Sequence, residues 1–157
     1  MRAIYPQRKR TRLDPALYAD VSAVCSVTVC SLDRASVFQH GPLAAGCIDL
    51  LVSRARNRDI RLHAYCLMPD HLHLLIGPSE QESIVDFVRA FKGVSTRMSW
   101  RHGFNGRIWQ PGFYDHFLRR DEDIEVAARY ILGNPVRKGL VRDWHEYPYC
   151  GSLVYDL

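Results

Sequence analysis

No run in this sequence approaches the roughly 20 consecutive apolar residues that a membrane-spanning helix needs. No membrane partner is therefore expected. Residues 1–14 are basic and interrupted by Pro6, so they lack the apolar stretch of a secretory leader, and a cytoplasmic location is expected. The five cysteines, Cys25, Cys30, Cys47, Cys66 and Cys150, are odd in number and form no C-x-x-C pair. That disfavours both a disulfide framework and a four-cysteine zinc site, and leaves the thiols as small packing groups. Internal repeats and low-complexity stretches are also missing.

What is present suits one folded unit. A chain of 157 residues with 47% hydrophobic content can bury a substantial core without covalent staples. The net charge of +4 is unevenly spread. Arg8, Lys9, Arg10 and Arg12 form one basic run, and Arg89, Lys92, Arg97, Arg101 and Arg107 form a looser second group. Such clusters attract phosphate backbones without reading sequence, although a basic arm is equally well a solvated tail. Residues 1–17 are read as that arm and residues 18–157 as a single domain.

Residues 18–32 are rich in valine, threonine and cysteine with partial alternation, which predicts a strand. Residues 43–57 carry helical apolar spacing. Residues 59–68 and 71–76 read as two strands joined by the tight Pro69-Asp70 step, and should pair as a hairpin. Helical spacing returns over residues 81–101. An aromatic, strand-like segment follows at 107–118, kinked at Pro111-Gly112. A helix from about Asp121 to Asn134 is then closed by Pro135, and the tail is irregular. The order β-α-β-β-α-β-α predicts an α+β, ferredoxin-like split βαβ fold: an antiparallel sheet with helices packed on one face.

His71 and His73 are two residues apart in a strand, so both imidazoles point to one face while Leu72, Leu74 and Ile76 point to the other. A same-face pair on a rigid strand can share a divalent cation. Taken alone, such a pair is more often just part of an exposed polar face. His63 and Tyr65 on the preceding strand are read as polar lining of that face. On the helix ending near Asn134, Ile124, Ala127, Ala128, Ile131 and Leu132 form an apolar stripe, with Tyr130 beside it and Asn134 one turn further on. A phenol can act as a covalent nucleophile on a phosphodiester beside a metal, and Asn134 could add an oxygen ligand. A boundary tyrosine followed by a helix-capping asparagine is the plainer alternative. Trp109, Phe113 and Tyr114 could stack on bases, and His116 could lie near the site.

These segments together resemble one family. Met68-Pro69-Asp70-His71-Leu72-His73-Leu74-Leu75 is similar to the His-hydrophobic-His signature of the HUH single-tyrosine transposases. Ile108-Trp109-Gln110-Pro111-Gly112-Phe113-Tyr114-Asp115-His116, with Leu118-Arg119, resembles their Trp-Gln strand. Tyr130-Ile131, Asn134-Pro135-Val136 and Gly139-Leu140-Val141 resemble their catalytic helix and its exit, and Tyr147-Pro148-Tyr149 their ending. The REP-associated tyrosine transposases are the most similar subgroup. The resemblance implies a Mg²⁺ or Mn²⁺ ion on His71 and His73 with Asn134 as third ligand. It also implies Tyr130 as nucleophile, a 5′-phosphotyrosine intermediate, and hairpin-forming single-stranded DNA as substrate. DNA contacts are expected from Arg8, Lys9, Arg10, Arg12, Lys92, Arg97, Trp109, His116 and Arg119. A homodimer in which the tyrosine helix serves the partner's metal site, and a monomer, both remain open. The competing reading is a relative that holds nucleic-acid hairpins without cutting them.

Overall fold

In the computed structural model the described residues are 13–157, so Arg8, Lys9, Arg10 and Arg12 lie outside them. The first element is a short helix, α1 (Pro15–Ala19), where a strand was expected to begin. Asp14 accepts from the Ala16 N–H and Pro15 supplies a preset first helical residue, so local capping chemistry wins here over β propensity. Tyr18 is buried against Phe113 and Phe117 and gives its hydroxyl hydrogen to Asp115 at 2.6 Å. Only after a turn stapled by Asp20 and Ser22 does β1 (Cys25–Cys30) start.

Helix α2 (Gly41–Asn57) leads to β2 (Arg61–Met68), which turns at Pro69-Asp70 into β3 (His71–Gly77). Helix α3 (Ile84–Trp100) then returns the chain to β4 (Tyr114–Phe117). A two-residue strand, β5 (Cys150–Gly151), closes the far edge. The sheet order is β4-β1-β3-β2-β5, and every neighbouring pair is antiparallel. This is the split βαβ arrangement that the element order predicts. The 107–118 segment is strand only in its second half. Its first half makes a single bridge, Ser31 to Trp109, before the kink.

Both faces of the sheet are covered. Cys25, Val27, Val29, Leu62, Leu72, Leu74 and Ile76 pack under α2 and α3. The alternate residues Ala64, Cys66, Met68 and Leu75 meet Ala128, Ile131 and Leu132 of helix α4 (Ile124–Leu132). The expectation of helices on one face therefore holds for α2 and α3 but not for α4. The apolar stripe on α4 needs a partner, and β2 and β3 are apolar at both parities, so the second face takes it.

Pro135 does not close the tyrosine helix. Gly133 stays in right-handed helical conformation, and the chain runs on into α5 (Asn134–Arg137) with the proline in its first turn, where no N–H is required. The Arg137 N–H bonds to the Gly133 carbonyl at 3.0 Å, which carries the helical path past the proline.

Candidate active site

Strand parity puts the His71 and His73 side chains on the second face of the sheet, the one that α4 covers. His71 is almost fully buried and His73 partly so. Their Nε2 atoms face each other at 3.0 Å. The far side of each ring is held by the chain itself. His71 Nδ1 lies 2.6 Å from Asp70 Oδ1, and His73 Nδ1 lies 3.0 Å from Thr28 Oγ1, its neighbour across the β1–β3 ladder. A carboxylate can only accept, so His71 carries its hydrogen on Nδ1 and keeps the Nε2 lone pair free. The Thr28 hydroxyl can donate or accept. When it accepts, the second Nε2 lone pair is free as well; when it donates, His73 bridges to His71 through an N–H.

The pair fits a divalent cation. Two nitrogens 3.0 Å apart match neighbouring positions on an octahedral ion with bonds of about 2.1 Å. Burial pushes both imidazoles below the usual histidine range, His73 to about 3; for His71 the Asp70 carboxylate works against that fall. Both rings are thus neutral at pH 7, the form a metal requires. Arg34, Arg137 and Lys138 surround the pair closely enough for their charges to act on it. His71 and Arg34 hold the Asp70 carboxyl below its ordinary value although burial opposes this.

Arg34 reaches Asp70 through a strained turn. Asp33 and Arg34 have φ of 55° and 54°, a left-handed conformation that costs a non-glycine residue on the order of 1 kcal/mol or more. The turn brings the Arg34 guanidinium within 3.1 Å of Asp70 Oδ2 and 3.1 Å of Cys30 Sγ. The result is a relay from Arg34 through Asp70 to His71.

Tyr130 projects from α4 beside the buried stripe and is 67% exposed. It lines a cleft of about 520 Å³ together with Ser26, His116, Leu118 and Ile131. His116, expected near the site, thus shares a cleft with Tyr130, and its Nε2 lies 3.1 Å from Glu122. Arg119 is exposed and its backbone N–H is tied to the same Glu122. Asn134 is half-buried in the first turn of α5, four residues after Tyr130.

Other expected DNA contacts lie elsewhere. Lys92 and Arg97 belong to α3, on the opposite face from the histidines. Lys92 also donates to the Gln110 and Gly112 carbonyls, which fastens the kinked segment. Trp109, expected to stack on bases, is instead 3% exposed; its indole N–H goes to Ser95 Oγ at 2.8 Å, and it packs on Phe38 and Phe91. It serves the core instead of stacking on bases. Tyr65 likewise packs on the first face, and His63 sits at a bulge against Tyr155, so neither lines the histidine pair.

Thr28, Asp70, Arg34, Arg137 and Lys138 escaped the sequence reading. Asp70 directly precedes the histidine motif and was the most accessible of them. Thr28 emerges only from the strand register, and Arg137 only once the helix is known to pass Pro135.

The sequence profile of the family described as "Transposase IS200 like" matches residues 22–134, well over half of the chain. The REP-associated tyrosine transposase of Escherichia coli K12 is 26% identical over 99 residues, covering 63% of this chain and 58% of that protein. The ISDra2 transposase TnpA of Deinococcus radiodurans is 32% identical over 80 residues, covering 46% and 57%. The chain thus spans a little over half the length of each of these relatives. A solved REP-associated tyrosine transposase bound to a REP hairpin superposes with a TM-score of 0.68 at 23% identity, over 91% of this chain and 82% of that one, a likeness of fold. The matched span runs from before β1 to Asn134 and includes both histidines and Tyr130, and on it the chain belongs to the IS200-like transposase family.

Proposed function

We propose that this protein is a divalent-metal-dependent enzyme that cuts and rejoins hairpin-forming single-stranded DNA through a covalent Tyr130 phosphodiester. One observation carries the reading. The two Nε2 atoms of His71 and His73 face each other, each ring steadied from behind, on the sheet face where the tyrosine-bearing helix docks. The hairpin as substrate comes from the relative solved with one.

In the forward step the Tyr130 oxygen bonds to phosphorus and the bond from phosphorus to the 3′ oxygen breaks. The phenol proton is lost to solvent and the departing oxygen gains one as a 3′ hydroxyl. The reverse step, with a different 3′ hydroxyl, rejoins DNA and frees the phenol. Because the phosphotyrosine stores the bond, no external energy source is needed. His71 and His73, with Asn134 as third ligand, would hold Mg²⁺ or Mn²⁺, which supplies charge neutralisation at the phosphate and leaving oxygen. Asp70 and Thr28 fix the ring orientations. Lys92, Arg97, His116 and Arg119 remain the proposed DNA contacts. Docking of α4 on its own chain's sheet supports a site completed within one chain. Among the described residues no helix is long and apolar enough to cross a membrane.

The test is a labelled single-stranded hairpin incubated with protein and Mn²⁺, then resolved under denaturing conditions. A DNA–protein band is expected, absent with chelator, with His71→Ala or with Tyr130→Phe. The same band from Tyr130→Phe would remove the tyrosine from its role. Tight binding with no band under any condition would leave a hairpin-holding protein.

A further inference from the structure

Arg137 ends α5, two helical turns beyond Tyr130. Its Nη2 donates to the Tyr130 carbonyl at 2.6 Å, and its Cζ stands 3.9 Å from the centroid of the Tyr130 ring. The guanidinium therefore grips one residue at two points, backbone and ring face. The path between them is open because residue 133 is glycine: a Cβ there would stand 2.7 Å from Arg137 Nη1. No carboxylate among the described residues pairs with Arg137, in contrast to Arg129 of α4, which is paired with Glu125 at 2.9 Å. The charge of Arg137 also reaches across to β3, where it acts on His73. Arg137 thus lies on the exposed phenol and near enough to the histidine pair for its charge to act on His73.

We propose that Arg137 is a positioning residue for the tyrosine, holding the Tyr130 ring in one orientation relative to His71 and His73. A side chain as exposed as Tyr130 is not fixed by packing, so something else must restrict its rotamers before attack. The planar fork of arginine can stack on a ring and donate in its own plane together; lysine cannot. This rests on the reading of Tyr130 as nucleophile.

The experiment compares the full chain with Arg137→Ala, Arg137→Lys and Arg137→Gln, measuring the rate of adduct formation with the hairpin and Mn²⁺, hairpin affinity, and melting temperature. Arg137→Ala should lower the rate by roughly 10- to 100-fold while affinity changes less than about threefold. Arg137→Lys should fall nearly as far. Free guanidinium at a non-denaturing concentration should restore part of the Arg137→Ala rate and leave the unaltered protein unchanged. Arg137→Gln, which keeps a donor for the carbonyl, covers the case in which the alanine variant folds poorly. No adduct from the unaltered protein overturns the reading of Tyr130 and this one with it. An adduct formed equally fast by the unaltered protein and every variant overturns only the role of Arg137. So does a rate loss matched by lost hairpin affinity, or one that follows the melting temperature and ignores guanidinium.

Discussion

Asp70 and Thr28 do their work behind the imidazoles, deciding which nitrogen of each ring is presented to the shared site. A ligand's outer partner is commonly worth about 10- to 100-fold in metal affinity. Asp70→Asn keeps the shape but can turn an N–H toward His71 Nδ1, which would move the ring hydrogen to Nε2. Mn²⁺ titration calorimetry should therefore show affinity weakened by about 10- to 100-fold, with the fold unchanged. An unchanged affinity would mean that the carboxylate does not set the tautomer. At this scale much was legible: alternation in a strand places two histidines on one face whatever the rest of the chain does. Thr28 was not, because the β1–β3 register depends on contacts between segments far apart in sequence. Trp109 was misplaced because an aromatic in a strand reads alike whether it faces core or nucleic acid.

The hairpin of β2 and β3 is buried on both sides, and it carries three histidines, His63, His71 and His73. Burial lowers the affinity of all three for a proton, with Arg61 adding to the effect at His63. In the unfolded chain they titrate near 6.5. Below that pH the unfolded state binds protons that the native state refuses, so stability is full above about 6.5 and falls as the pH drops toward 3. Asp70, also lowered, acts in the same direction; exposed His145, raised by Asp143, opposes it. The urea midpoint should fall between pH 7.5 and pH 5, and a midpoint that rises would contradict the burial of this hairpin. The hairpin and helices α2 and α3 were legible because period and turn residues agreed. The first strand was predicted seven residues too early, at Tyr18 instead of Cys25, because a capped turn at Asp14-Pro15 outranked β propensity. The tyrosine helix was expected to run to Asn134 and stop at the proline; it ends at Leu132, and Pro135 instead opens a second short helix, because a first-turn proline is a start.

The whole molecule divides its two faces by task. Under α2 and α3 lies the larger core, and under α4 lie the smaller core and the histidine pair. The alternating order of elements predicted the sheet, and the placement of α4 did not follow from it, since an amphipathic stripe names no partner. That placement matters most for function, because it brings the tyrosine helix to the face that holds the imidazoles. Trypsin offers a direct test, as cleavage after Arg129 and Arg137 releases Tyr130–Arg137 as one peptide with a single tyrosine. After reaction with a single-stranded hairpin and Mn²⁺, followed by nuclease and trypsin, mass spectrometry should find a nucleotide phosphate on that peptide. A nucleotide on any other peptide, or none in a sample that cleaves the DNA, would contradict the account.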